Sequence, residues 1–291
     1  MKIAALAQNL ALPVSSVEDW ASRVESEVAA AKRQGAEVFL MPEYAACQWL
    51  HLIRGLPGRV QLAKMADFAA EAAPLMAAIA KKHDILFVAG TFPVHRPELL
   101  PPLTNRAHVF FPDGRVAVQD KLCLTPFEKD PNDWNLSPGD ALTVFEWKGW
   151  RMAVVICLDI ELPSLSARMA ALDLDLILVP SMTVKPSGYH RVFGCAKARA
   201  VELLAGVVAV GAIAGVPRGE QEYGGISFYV PCEEELGFTG VLAEVDPSYE
   251  AEGMGPLLVC DMPLEAIRKL RRGGTGEVWP GAWSAEHVRI V

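Results

Sequence analysis

The chain has 291 residues, 52% of them hydrophobic and 21% charged, with a formal net charge of −8. That much apolar material supplies a large core and excludes a disordered chain. The acidic balance, with Lys32-Arg33 and Arg271-Arg272 only isolated basic pairs, argues against nucleic acid and anionic membrane as partners.

Lys2–Gln8 reads as a strand. The opening MKIAALAQNLALPVSS has the superficial look of a secretion signal, but a strand followed at once by a helix cap accounts for it better. Ser15, with Glu18 three residues on, forms a capping box. Val17, Trp20, Val24, Val28 and Ala31 then recur at helical spacing up to Gly35. Strand Glu37–Met41 delivers Pro42-Glu43. A helical stretch over about 60–82 is expected to break near Pro74, before a strand at Ile85–Ala89. Arg106–Phe111 and Arg115–Lys121 flank Pro112-Asp113-Gly114, and Thr143–Trp147 and Trp150–Ile156 flank Lys148-Gly149; both are hairpin signals.

The opening rhythm then returns. Residues 151–157 form a strand, about 163–171 a helix, and 174–181 a strand ending in Pro-Ser, as 36–43 ends in Pro-Glu. Two strand–helix–strand units imply an α/β fold with two pseudo-symmetric halves and two sheets. A helix near 189–204, strands near 207–213, 226–230, 240–245 and 257–261, and a helix from Pro263 to Leu270 complete the pattern. The apolar run 203–216 contains three glycines and is too short to span a bilayer, so it reads as a buried strand. No linker divides the chain, so residues 1–291 read as one domain. The segment 273–291 is a tail whose Trp279 and Trp283 need a surface to bury against. The six cysteines show neither zinc spacing nor a disulfide framework, which implies no metal and reduced thiols in a cytoplasm.

Three of these segments end in a chemically useful side chain: Glu43 in FLMPEYAA, Lys121 in QDKLCLTPFEKD, Cys157 in VVICLDIELP. A cysteine at the end of an apolar strand is usually a small core residue. Here the chain turns at once into a helix, which exposes a nucleophile and brings backbone N–H groups near it. Glu43 reads equally as a surface carboxylate, and Lys121 as an edge-strand lysine that blunts aggregation. Taken together they are a thiol, a base and a cation, the equipment for acyl transfer through a thioester. Of the six thiols Cys157 is expected to be the catalytic one and the fastest alkylated. Asp159 is expected to brace the cysteine turn, and His190 to be core or surface.

In order and spacing the three motifs resemble those of the nitrilase superfamily, the carbon–nitrogen hydrolases. The resemblance runs from Lys2 to about residue 262. It implies a four-layer α-β-β-α sandwich and a homodimer or higher homo-oligomer, with the tail on the neighbouring subunit. It implies Cys157 as nucleophile, Glu43 as general base, and Lys121 with the Leu158 N–H as oxyanion hole. Glu128 would place substrate and water. Arg199 and Glu202 match a scaffold helix motif. Leu162, Ser164 and Leu203 depart from the family pattern and leave the subfamily open. The expected activity is cofactor-free cleavage of a small-molecule carboxamide. An N-carbamoyl or ureido hydrolase, an acyltransferase, a nitrilase and a silent binding protein are the alternatives. Cys-Leu-Asp, in place of Cys-Trp-Glu, favours amides over nitriles. Tyr44, Phe127, Trp134, Met182 and Tyr189 are pocket-wall candidates from their loop positions. A carboxylate-bearing substrate would need a guanidinium clamp, to which the sequence assigns no arginine.

Overall fold

The computed structural model describes residues 1–215, 221–273, 276–277 and 288–290. Strands β1 (Lys2–Leu6), β2 (Val38–Leu40) and β3 (Leu86–His95) run parallel, joined by helices α1 (Val17–Arg33) and α2 (Gly58–His83). Strands β4 (Leu103–Phe110) and β5 (Val116–Asp120) follow antiparallel, and β6 (Val144–Trp147) opens the second half. There β7 (Trp150–Val154), β8 (Leu176–Ser181) and β9 (Gly206–Gly211) are again parallel, joined by α4 (Pro163–Met169) and α5 (Pro186–Leu203). The one-turn helix α3 (Pro126–Lys129) lies between the halves. Strands β10 (Gly224–Tyr229), β11 (Val241–Ser248) and β12 (Leu257–Asp261) and helix α6 (Leu264–Gly273) complete the chain.

The strands make two six-stranded sheets, ordered β12-β1-β2-β3-β4-β5 and β6-β7-β8-β9-β10-β11. Position by position the pairing senses agree, so the expected pseudo-symmetry is present down to strand order. The alternation of side chains builds the layers. In the first sheet Ile3, Ala5, Val38, Leu40, Leu86 and Val88 face the second sheet, in one core cluster with Met152, Val154, Leu176 and Leu178. Ala4, Leu6, Phe39, Met41 and Phe87 face outward onto the apolar stripes of α1 and α2. This is the α-β-β-α sandwich.

Local details differ from the sequence reading. The cap of α1 is Ser16, whose hydroxyl accepts the Asp19 N–H at 3.1 Å. Ser15 instead donates its N–H and hydroxyl to Asp19 Oδ2. Helix α2 runs through Pro74 without a break, because Ala69, Ala72, Met76 and Ile79 on either side of it are buried and hold the turn in place. Strand β3 continues six residues beyond Ala89, the expected end. Gly90 (φ +76°) absorbs a register shift there, so a breaker in the sequence is a bulge in the fold. Trp279 and Trp283 lie outside the described residues.

Candidate active site

The registers show how the halves are loaded. Ile3 pairs with Val38 as Met152 pairs with Leu176. Counting on from these pairs, Cys157 occupies the position of Gln8, and Glu43 that of Ser181, with Pro42 matching Pro180. The thiol therefore comes from one half, the glutamate and lysine from the other, and they meet where strand ends face each other.

Glu43 follows β2 directly. A side chain at Gly90 would put its Cβ 2.1 Å from the Pro42 carbonyl, so only glycine lets β3 pass this close to the glutamate turn. Tyr44 is left-handed (φ 51°), and its N–H bonds Thr91 Oγ1 at 2.8 Å. Lys121 leaves β5 with its N–H on the Asn105 carbonyl at 2.8 Å and its own carbonyl accepting from Gly139 at 2.7 Å. Cys157 follows β7 at φ 46°, a left-handed conformation that is strained for a residue other than glycine, and starts a 3-10 turn over Cys157–Glu161. The Leu158 N–H sits in the first turn of that segment, where backbone donors have no intrahelical partner.

Lys121 Nζ donates to Glu43 Oε1 and to Glu128 Oε2, both at 2.7 Å, with all three side chains at most 3% exposed. Asn105 Nδ2 bridges the same carboxylates, 2.9 Å from Glu43 Oε1 and 3.3 Å from Glu128 Oε1. The second oxygen of Glu43 accepts the Met182 N–H at 3.0 Å. Glu128 is held further by the Tyr44 hydroxyl at 2.5 Å and by a capping box with Thr125. The Cys157 thiol lies 3.8 Å from the Met182 carbonyl and 3.8 Å from Ser181 Oγ. Glu43, Lys121, Glu128 and Cys157 thus form one cluster. Asn105, Thr125, Ser181 and the Met182 backbone belong to it although the sequence reading did not single them out for this. Asn105 lies mid-strand in β4, where a polar residue among apolar neighbours was the available signal.

Electrostatics set the protonation pattern. Burial raises the pKa of Glu43, and the Glu128 charge adds to it, while Lys121 only partly offsets them. Burial also acts on Glu128, but there the Lys121 charge and the bonds from Lys121, Tyr44 and Thr125 win and lower its pKa. Burial opposes the Lys121 charge; the two carboxylates outweigh it and keep the ammonium protonated. Burial, then the Glu43 charge, push the Cys157 thiol far up, so it rests neutral.

Asp159 supports the cysteine turn through backbone hydrogen bonds, to a neighbouring segment and not within the turn. Its oxygens accept the N–H groups of Leu122 (3.0 Å) and Cys123 (2.7 Å), tying the cysteine turn to the lysine segment. Burial nonetheless pushes its carboxyl up to about 7, against those two bonds. Arg199 Nε donates to the Ile160 carbonyl at 3.2 Å, and the guanidinium pairs with Glu202 at 2.7 Å, so this pair anchors the same turn to α5. His190 is exposed on α5.

A cavity of about 740 Å³ opens beside the cluster. Phe127, Trp134 and Met182 line it, and Met182 connects it to the thiol. Tyr44 stands behind this wall, its ring 4.6 Å from that of Trp134. Tyr189 lies elsewhere: it is buried on α5, stacked 3.9 Å from Phe193 and packed on Tyr223. Its helix faces the second sheet, which the loop position alone did not reveal. Among the described residues no three His, Cys, Asp or Glu side chains are placed to hold a metal ion, and no helix is long and apolar enough to cross a membrane.

Known proteins resemble this chain in sequence and in fold. A probable hydrolase of Bacillus subtilis, YhcX, is 28% identical over 90% of this chain and 50% of its own length. An (R)-stereoselective amidase of a Pseudomonas species is 31% identical over 54% of this chain and 55% of its own. The chain thus spans about half the length of these relatives. Among solved structures, an amidase from a Nesterenkonia species superposes with a TM-score of 0.70 at 24% identity, covering 94% of both chains. XC1258 from Xanthomonas campestris, a CN-hydrolase superfamily protein, gives 0.72 at 18% identity, again over 94% of both. The carbon-nitrogen hydrolase family model matches residues 2–270, nearly the whole sequence, and the chain belongs to that family.

Proposed function

We propose that this protein is an amidase that cleaves a small carboxamide through a Cys157 thioester. The observation that carries the reading is the pair of 2.7 Å contacts from Lys121 to Glu43 and Glu128 beside a neutral thiol. In the first step Cys157 Sγ adds to the amide carbonyl carbon as its proton passes to Glu43. The carbonyl oxygen, now negative, is met by the Lys121 ammonium and the Leu158 N–H. The C–N bond then breaks, and the amine leaves with the proton from Glu43, giving a thioester. Water adds to that thioester, yielding a proton to Glu43, and the same donors hold the second oxyanion. Collapse releases the acid, and the thiolate recovers the proton.

The two carboxylates divide the work because their surroundings differ. Glu128, its pKa lowered, stays ionised and balances the lysine. Glu43, its pKa raised, is the better proton carrier. Replacing Cys157 with Ala is expected to leave a folded protein without amide turnover. Intact mass measurement of the native enzyme mixed with amides is expected to show the mass of one acyl group. Turnover in Cys157→Ala would refute the mechanism. A small amide is expected to exceed its matching nitrile at least tenfold in kcat/KM, about 1.4 kcal/mol of transition-state discrimination. A nitrile preferred over its own amide would reassign the substrate but keep the nucleophile. The chain further reads as a single catalytic domain working in a homodimer, to be checked by sedimentation.

A further inference from the structure

Each half of the fold brings one polar side chain to the thiol from the same position. Glu43 and Ser181 are equivalent by strand register, and each follows a proline where its strand runs out. Glu43 is the base. Ser181 Oγ lies 3.8 Å from Cys157 Sγ, with the hydroxyl donating and the sulfur accepting. The thiol in turn donates to the Met182 carbonyl, so the serine does not compete for its proton. Among the described residues the Ser181 hydroxyl has no other hydrogen-bond partner, and the side chain is fully buried. An uncharged sulfur is a weak acceptor, and alanine would pack there without the cost of burying a hydroxyl. Fold stability therefore does not account for the serine.

The segment that carries it is also fixed in advance. The Ser181 carbonyl accepts the Ala212 N–H at 3.1 Å. Thr183 accepts the Tyr223 N–H at 2.7 Å and returns its own hydroxyl to the Tyr223 carbonyl at 2.9 Å. Behind Ser181, β9 and β10 run so close that a Cβ on its strand partner Gly211 would stand 2.9 Å from Gly224 Cα. We propose that Ser181 is a further catalytic residue, whose hydroxyl stabilises the negative charge that appears on Cys157 Sγ. That charge appears as the thiol proton passes to Glu43 and the S–C bond forms. It appears again when the C–S bond of the second tetrahedral intermediate breaks and leaves its electron pair on sulfur. The inference rests on the thioester reading above. A hydrogen bond to a charged partner is about twice as strong as a neutral one. The contact is therefore worth more in the transition state than at rest, which is the condition for a rate effect.

The test separates the step in which sulfur carries charge from the step in which it does not. With p-nitrophenyl esters of short fatty acids the native protein is expected to release nitrophenol in a burst as Sγ is acylated. Slower steady turnover follows as water attacks the thioester. In Ser181→Ala the burst rate constant is expected to fall about tenfold. The steady rate and the thermal midpoint are expected to stay as they were. An unchanged burst rate constant would overturn the proposal. So would an equal fall in both phases, which is what a merely structural serine would give. A native protein without a burst, or a burst that survives in Cys157→Ala, would instead overturn the thioester reading itself.

Discussion

Asn105 is the uncharged side chain that, with Lys121, joins the two glutamates. It donates to both from one nitrogen in a fully buried position. Asn105→Leu removes a donor from ionised Glu43, which raises the pKa of that carboxyl further. Below that pKa Glu43 carries a proton and cannot accept one from the thiol, so activity falls as pH falls. The acid limb of kcat/KM is therefore expected above the ordinary glutamate range in the native enzyme, and higher still in Asn105→Leu. A pH profile that does not move would show that Asn105 only fills space. Asp159→Asn places an amide donor against one of the two backbone N–H groups, at a cost of about 1–3 kcal/mol for the unmet bond. It is expected to lower the thermal midpoint and kcat together, because the lysine segment loses its tie to the cysteine turn. Glu43, Lys121 and Cys157 were legible because each ends an apolar strand. Asn105 was not, because its role depends on which strand lies beside β4.

At the scale of elements, β3 shows why reading stopped short. The strand expected at Ile85–Ala89 continues to His95 because Gly90 lies in a bulge under the glutamate turn. Gly90→Ala combines a positive φ with a Cβ driven into the Pro42 carbonyl, which is backbone and has little room to move. The variant is expected to be strongly destabilised in a denaturant titration, and any folded fraction to be less active because Glu43 is displaced. Ser16→Ala, by contrast, removes an ordinary cap and is expected to cost about 1 kcal/mol with activity intact. Hairpins and helix periods are local and were read correctly to within a few residues. Cap position and the passage of α2 through Pro74 depend on packing and were not.

At the scale of the molecule, α6 fastens the two halves together. It follows β12, an edge of the first sheet, yet its Arg268 and Arg271 close on Asp175 at the entry to β8 in the second. Asp175 is 1% exposed as a side chain and also accepts the Arg151 N–H at 2.9 Å. Burial would raise its pKa, but these partners overcome it and lower it. A carboxyl with a depressed folded-state pKa contributes stability above its unfolded value, lost as pH falls through the folded one. Acid unfolding of the native protein is therefore expected to include this group. Asp175→Ala takes the shared carboxylate from Arg268 and Arg271, leaving Arg271 on Asp173 and Arg268 on the Gly149 carbonyl, and is expected to cost about 1–3 kcal/mol in chemical denaturation. The repeated strand–helix–strand rhythm made the two halves readable in the sequence. The ion pairs that join them were hidden, since Arg271 and Asp175 lie 96 positions apart.

The neutral resting thiol also decides what the protein tolerates from its surroundings. Alkylating agents and peroxides attack thiolate, in proportion to its population and its access to solvent. Cys157 offers little of either, being 6% exposed and held protonated by burial. Cys232 is exposed, so iodoacetamide should modify it first, the reverse of the order suggested by the sequence. The nucleophile acquires its reactivity only when a carbonyl carbon is in place and Glu43 takes the proton. Mild oxidative stress should therefore mark the surface of this protein and spare its chemistry, whereas an electrophile shaped like the substrate should disable it with a single equivalent.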